Sequence, residues 1–139
     1  MAGTSLVSLN GNTLAALDVE TTGKEPWIHE IVQIAIVPLD CHIKPVGTPF
    51  YMNINPHDPG LMQPEAIDAH GLTIEDLSSE LDPDTVAQML WDYYQDLRLP
   101  PGKKLVPLAH NSQFDIPFIQ RWLGQDLYED IFGFPPRDT

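Results

Sequence analysis

Three carboxylates and one amide stand in two short segments whose residue types could do chemistry. Asp18 and Glu20 come at the end of an apolar run, 14–19. Because side chains in a strand alternate between its two faces, these two carboxylates point the same way. Like charges held side by side repel, and a bound divalent cation usually offsets this repulsion. The second segment adds Asn111 and Asp115, one helical turn apart.

Length and composition predict one soluble globular domain. The chain has 139 residues, of which 42% are hydrophobic and 19% charged, and this is enough for a real core. No apolar run approaches the roughly 20 residues of a membrane span, so no membrane partner is expected. Residues 1–10 lack the features of a signal peptide. The single cysteine, Cys41, excludes an internal disulfide and a cysteine-based zinc site, and a cytoplasmic location is expected.

The charge balance limits the kinds of partner. A formal net charge of −13 counts against a simple nucleic-acid binder, which normally shows a basic patch. It does not exclude a nuclease whose acids are partly neutralised by bound metal.

The elements that must position the polar segments form an α/β layout. Strands are predicted at 13–20, 30–39, 50–54 and 104–109. Two short helices are predicted within 63–77, a longer one at 84–97, a loop that becomes a helix at 111–123, and a helical turn within 126–132. Short connections between the first three strands favour an antiparallel meander.

Local signals predict where the helices begin and end. Gly71 should end the first short helix, and Thr73 should cap the second, with Asp76 three residues on. Asp82 precedes a proline that should start the longer helix. Pro117 should lie in the first turn of its helix or mark a kink.

Three segments resemble one known family. Leu17-Asp18-Val19-Glu20-Thr21-Thr22-Gly23 resembles the first motif of the DEDD 3′–5′ exonucleases, the proofreading superfamily with a ribonuclease H-like fold. The run 110–118, His-Asn-Ser-Gln-Phe-Asp-Ile-Pro-Phe, is similar to the second motif, and 64–73 is similar to the connecting segment. A lone Asp-x-Glu would be weak evidence, whereas three segments in the right order and spacing are specific.

The resemblance implies a ribonuclease H-like three-layer fold, with the meander followed by a parallel strand. Residues 1–12 would be a flexible N-terminus, and 13–139 the N-terminal portion of an exonuclease domain. The family's third motif, a His or Tyr base followed by a fourth Asp, is absent, because no His stands among the 24 residues after Asp115. The chain is therefore expected to stop before its last helices, with 137–139 starting a strand, either as a fragment or as a natural half-site.

The resemblance also implies roles for individual residues. Asp18, Glu20 and Asp115 would be the catalytic carboxylates and would bind two Mg²⁺ or Mn²⁺ ions, with Asp18 bridging both. The terminal nucleotide would be held by Thr21, Thr22, Asn111, Phe114 and His110.

The implied function is removal of nucleoside monophosphates from the 3′ end of a single-stranded nucleic acid, with DNA favoured over RNA and a DNA polymerase as a further partner. This chain alone is expected to be inactive or nearly so, because it lacks the general base of the third motif. General acid–base catalysis is worth about 10²–10⁴-fold in rate. Two alternatives stay open: a non-catalytic exonuclease-like binding module of a replication or repair complex, and an RNA-trimming exoribonuclease.

Structural explanations compete with these roles. Asp18 and Glu20 could be a solvated strand end. Asp115 could be a first-turn acid that favours the helix dipole. His70 is expected to make a structural hydrogen bond, and His29 to lie on the surface. Trp27 could lie beside the substrate groove.

Overall fold

A five-stranded mixed sheet forms the centre of the protein. The computed structural model describes residues 10–139, so most of the expected flexible segment 1–12 lies outside the described residues. The strands are β1 (Thr13–Thr21), β2 (Ile31–Pro38), β3 (Phe50–Asn53), β4 (Leu105–Ala109) and β5 (Arg137–Asp138).

The sheet has the strand order β3-β2-β1-β4-β5. The first three strands pair antiparallel, as their short connections predicted. β4 pairs parallel with β1, which confirms the expected meander followed by a parallel strand. β5 pairs parallel with the other edge of β4, so the strand predicted near 137–139 is also present.

Five helices connect and cover the strands of the described chain. They are α1 (Pro64–His70), α2 (Ile74–Leu77), α3 (Pro83–Asp96), α4 (Ser112–Leu123) and α5 (Gln125–Ile131), with a short 3₁₀ turn at Pro59–Leu61. Across residues 10–139 no helix is long and apolar enough to span a bilayer.

The helix ends follow the local signals in the sequence. Gly71 ends α1 with a φ of 75°, a left-handed conformation that glycine adopts without steric cost. Thr73 and Asp76 form a reciprocal capping box at the start of α2. The Asp82 carboxylate accepts a hydrogen bond from the Thr85 amide and caps α3. The caps made by Thr73 and Asp82 satisfy backbone amide donors that the first helical turn leaves unpaired.

Pro117 lies in the second turn of α4, so the first of its two predicted roles, a place in the first turn, is wrong, and the second, a kink, stays a prediction. A proline there has no amide hydrogen to donate to the carbonyl of Gln113, four residues earlier. Packing of the helix compensates, because Ile116 and Phe118 on either side of the proline are both buried.

One face of the sheet carries the main core. Ala15, Leu17 and Val19 alternate along β1 onto this face. They pack in one cluster with buried side chains of α3 and α4, namely Val86, Leu90, Ile116, Phe118 and Ile119. The opposite face carries a smaller apolar cluster that includes Leu14. Because Leu14 and Asp18 are four residues apart on one strand, the alternation keeps the carboxylates out of the main core.

Candidate active site

Two carboxylates lie on the same face of β1 near its carboxyl end. Asp18 is exposed and Glu20 is half-buried. Partial burial raises the pKa of Glu20, the negative charge of Asp18 raises it further, and nearby His70 lowers it. The influence of Asp18 means that the two carboxylates lie within electrostatic reach of each other, as the strand alternation predicted.

The start of α4 brings a third carboxylate to the end of β1. The parallel pairing of β1 with β4 runs only to Ala16, opposite Leu108. The last residues of β1 therefore extend past β4, where the chain has already turned into α4. Asp115, in the first turn of α4, is buried at this place, and its carboxylate accepts a hydrogen bond from the backbone amide of Val19.

The charges of Asp18 and Glu20 act on Asp115. Burial raises the pKa of Asp115, and the charges of Asp18 and Glu20 contribute further, so that it reaches about 6. The Val19 amide and His110 act in the opposite direction, since both favour the charged carboxylate. We call Asp18, Glu20 and Asp115 the acid cluster.

The donor chemistry of the acid cluster fits a divalent cation. Its ligands are carboxylate oxygens, which Mg²⁺ and Mn²⁺ prefer. The mutual repulsion that raises the pKa of Asp115 is an interaction that a cation would relieve. Among the described residues, no group of three or more His, Cys, Asp or Glu side chains is already arranged to hold a metal ion. A cation would therefore have to draw these three carboxylates closer together.

The two threonines after Glu20 build a tight turn. The Thr21 hydroxyl donates to the carbonyl of Gly23 at 2.6 Å. The Thr22 hydroxyl accepts from the amide of Glu30 at 3.0 Å. Thr22 is 1% exposed, so its hydroxyl is committed to holding the β1–β2 connection, whereas Thr21 also lines a cavity beside Glu20.

His29 is buried, so its expected surface position is wrong. Its side chain is 6% exposed, and its Nδ1 accepts from the Glu25 amide at 3.1 Å. The ring packs directly on Gly23, because a Cβ at that glycine would lie 2.5 Å from three ring carbons. Real Cβ atoms do not approach carbon atoms this closely, so the turn after the first motif requires glycine at 23.

The cavity beside Glu20, of about 200 Å³, brings together residues from both motifs. We call it the Glu20 cavity. It is lined by Val19, Glu20, Thr21, Gly23, Lys24, Gln63, Glu65, Ala66, Ala69, His70 and Phe114. Of the predicted substrate contacts, Thr21 and Phe114 line it. Phe114 also packs against Phe118, with ring centroids 5.0 Å apart, so one residue both packs in the core and forms the cavity wall.

His70 makes the structural hydrogen bonds that were expected of it. Its Nδ1 accepts from the Leu72 amide at 3.0 Å, and its Nε2 lies 3.0 Å from the Thr21 carbonyl. Because Nδ1 is the acceptor, the neutral ring carries its proton on Nε2 and donates it to that carbonyl. His70 therefore ties α1 to the end of β1 next to Glu20.

The two remaining predicted contacts lie at the start of α4. His110 and Asn111 are both exposed, and neither lines the Glu20 cavity. Asn111 occupies the N-cap position of α4 but makes no side-chain capping hydrogen bond. The structure thus places both residues just before the helix that carries Asp115, at the rim of the site.

A second, larger groove of about 620 Å³ is lined in part by His29. Trp27, which is 78% exposed, and Arg121 are among the residues that line it. None of the predicted site residues lines this groove. We therefore place the candidate site at the acid cluster and the Glu20 cavity, where the titratable groups interact.

Sequence reasoning missed three contributors to the site. Lys24 places an amine at the Glu20 cavity in an otherwise acidic chain. His29 shapes the turn that precedes Lys24. Asp138 contacts the start of α4 from β5. Only Lys24 had a usable signal, since it directly follows the first motif.

The fold and the position of the acid cluster point to a nuclease-like candidate site. A mixed sheet carries two carboxylates at the end of its first strand and receives a third from the helix after its fourth strand. Residues 15–129 match the RNase_T family model, described as Exonuclease. The chain belongs to this exonuclease family, as the resemblance to the DEDD exonucleases predicted.

Two similar curated proteins are DNA polymerase III epsilon subunits. That of Pasteurella multocida (strain Pm70) is 33% identical over 108 residues, which cover 74% of this chain and 38% of the relative. That of Haemophilus influenzae (strain ATCC 51907 / DSM 11121 / KW20 / Rd) is 32% identical over 116 residues, covering 80% and 41%. The chain spans about two fifths of the length of these relatives.

Solved structures of exonuclease I share the fold. E. coli exonuclease I in complex with a dA16 oligonucleotide has a TM-score of 0.70 at 21% identity, covering 87% of this chain and 27% of that one. The Methylocaldum szegediense enzyme has a TM-score of 0.66 at 23% identity, covering 81% and 23%. These similarities confirm the predicted ribonuclease H-like α/β architecture.

Proposed function

We propose that this chain supplies three catalytic carboxylates of a metal-dependent 3′–5′ exonuclease. The enzyme would remove nucleoside monophosphates from the 3′ end of single-stranded DNA. The observation that carries the proposal is the acid cluster, in which burial and the charges of Asp18 and Glu20 raise the pKa of Asp115, and of which Glu20 lines a small cavity.

The acid cluster would hold Mg²⁺ or Mn²⁺. Bound metal ions would activate a water nucleophile and stabilise the leaving oxygen. The chain contributes a charge suited to that task, since at pH 7 a carboxyl with a pKa of about 6 is mostly ionised. The Val19 amide supports the charged form of Asp115 even without a cation.

The Glu20 cavity would hold the terminal nucleotide. Phe114 supplies an aromatic surface and Ala66 and Ala69 supply apolar wall, which suits the face of a base. Lys24 offers a cation for a phosphate. Thr21, whose hydroxyl and carbonyl are both engaged in fixed hydrogen bonds, would keep the turn in one conformation as substrate enters.

The names of similar proteins favour DNA as the substrate. Two are subunits of DNA polymerase III, and one solved exonuclease I holds a dA16 oligonucleotide. On the same ground we propose a DNA polymerase as a partner of this chain.

The first test of the proposal is a Mn²⁺ titration, in which the electron paramagnetic resonance signal of the free ion measures binding. We expect saturable binding that Asp18→Ala and Asp115→Ala each weaken by at least tenfold. Asp96→Ala is the matched control, because it removes an exposed acid at the far end of α3. Equal affinity in all four proteins would refute the acid cluster as the metal site.

The second test is binding of the reaction product. Titration with thymidine 5′-monophosphate in Mg²⁺ should shift the amide resonances of Thr21, His70 and Phe114. A 5′-labelled oligodeoxynucleotide should be shortened slowly or not at all by the chain alone. No shift at these residues would contradict the substrate site, and rapid metal-dependent shortening that Asp18→Ala abolishes would contradict the expected low activity.

A non-catalytic binding module is the second candidate. It is favoured by one observation, that the described residues contain no ready-made group of three metal-binding side chains. This candidate predicts no saturable Mn²⁺ site at the acid cluster, so the first test separates the two functions.

A further inference from the structure

The start of α4 is capped from outside its own sequence neighbourhood. The caps of α2 and α3 come from Thr73 and Asp82, which directly precede those helices. Asn111, in the same position before α4, makes no capping hydrogen bond with its side chain. The Ser112 amide instead donates to the carboxylate Oδ1 of Asp138, 2.8 Å away and 26 residues later in the chain.

From this contact we propose that Asp138 is a positioning residue, which holds the first turn of α4 and thereby fixes Asp115 in the acid cluster. The inference deepens the proposed exonuclease function and rests on it. Under this inference β5, which lies outside both sequence motifs, helps to position a residue of the second motif.

Strand pairing holds Asp138 in place for this contact. Asp138 pairs with Ala109 in the parallel register of β5 and β4. The Thr139 amide donates to the Ala109 carbonyl at 3.0 Å. The connection from β4 to α4 is therefore anchored on one side by strand hydrogen bonds and at its end by the Asp138 carboxylate.

The charge of Asp138 suits the cap. The hydroxyl and the amide of Ser112 and the nearby His110 all lower the pKa of Asp138, so the carboxylate is ionised at neutral pH. A negative charge at the first turn of a helix also interacts favourably with the helix dipole. Asp138 accepts from the Ser112 amide, so its charge is stabilised without a metal ion.

Asp115 depends directly on this turn. It lies three residues after Ser112, and its amide donates to the Asn111 carbonyl at 3.1 Å. If the cap is lost, the residues Ser112 to Asp115 can fray, and the Asp115 carboxylate then leaves its fixed place near Val19. The acid cluster would still contain all three residues, but Asp115 would no longer be held in position.

The experiment compares Asp138→Ala, Asp138→Asn and Asp82→Ala with the parent chain. Asp138→Ala removes the cap. Asp138→Asn removes the negative charge but keeps an oxygen acceptor, so it separates capping from attraction between Asp138 and the metal. Asp82→Ala removes an equivalent cap from α3 and is the matched structural control.

The expected result is selective. Asp138→Ala should weaken Mn²⁺ binding by about tenfold, the lower end of the range for residues that orient metal ligands. Asp138→Asn and Asp82→Ala should both bind Mn²⁺ within about twofold of the parent, because asparagine is also a good cap. Unchanged Mn²⁺ affinity in Asp138→Ala would overturn the inference.

A metal-free readout separates this inference from the proposed function. Amide hydrogen exchange at Ser112 and Asp115, and the carboxyl ¹³C resonance of Asp115, should change in Asp138→Ala and not in Asp82→Ala. If the parent chain binds no Mn²⁺, the proposed function fails, and this comparison still decides the positioning role. Identical exchange and resonance in both variants would overturn it.

Discussion

Asp115→Asn should stabilise the fold while removing a metal ligand. In the native chain burial opposes the charge of Asp115, and Asp18 and Glu20 repel it, so its pKa rises from 3.8 to about 6. An asparagine keeps an oxygen to accept the Val19 amide hydrogen bond but carries no charge. The substitution should therefore relieve both unfavourable interactions at neutral pH.

The size of the gain follows from the pKa. A carboxyl whose pKa is higher in the folded state binds more protons there, so its charge destabilises the fold increasingly as pH rises from about 4 to about 6. Each pH unit of difference is worth about 1.4 kcal/mol. Allowing for solvent screening, the gain at pH 7 should be about 1–3 kcal/mol, and it should fall below about 1 kcal/mol near pH 4.

Urea unfolding from pH 4 to pH 8 measures this dependence. The control is Asp126→Asn, which neutralises an exposed first-turn acid in the neighbouring helix α5. It should lower stability slightly, by at most about 1 kcal/mol, because it removes a favourable interaction with the helix dipole. Added Mn²⁺ should make the parent chain more stable than Asp115→Asn, because the parent keeps the metal ligand. A ligand that binds only the folded state stabilises it by about 2.7 kcal/mol at 100 times Kd.

Two outcomes would refute the reasoning. If Asp115→Asn is less stable than the parent at pH 7, burial and repulsion do not dominate at this carboxyl. If its gain is the same at pH 4 and pH 7, the effect does not come from the charge. Either result would remove the electrostatic argument for the acid cluster.

The remaining predictions concern the elements that support the site. Gly23→Ala should destabilise the fold by about 1–3 kcal/mol through overpacking, since its Cβ would meet the His29 ring at 2.5 Å; urea unfolding measures the loss, and His29→Ala in the same chain should recover part of it. Thr73→Ala should cost about 1 kcal/mol by removing the α2 cap, and an unchanged midpoint would contradict the capping box. Leu90→Ala should cost about 2–5 kcal/mol, because Leu90 is 0% exposed; a smaller loss in thermal or urea unfolding would mean that the core collapses around the missing side chain.

Local patterns in the sequence were enough to predict most of the helices and strands and the shared face of Asp18 and Glu20. The alternation along β1 predicted correctly that Asp18 and Glu20 share a face, because a strand turns each successive side chain by half a revolution. The capping box of Thr73 and Asp76 was equally predictable, since all its partners lie within three residues. Such interactions depend on neighbouring residues only.

Tertiary structure alone decided how the site is held. His29 packs on Gly23 because the β1–β2 connection folds back on itself, and nothing in the residues between them indicates that path. The bond from His70 to the Thr21 carbonyl joins residues 49 apart, and Asp138 on β5 accepts from Ser112, which lies 26 residues earlier at the start of α4. The pKa of Asp115 likewise depends on burial and on charges brought from another strand. These contacts follow from strand register and helix packing, which depend on the whole core rather than on any local pattern.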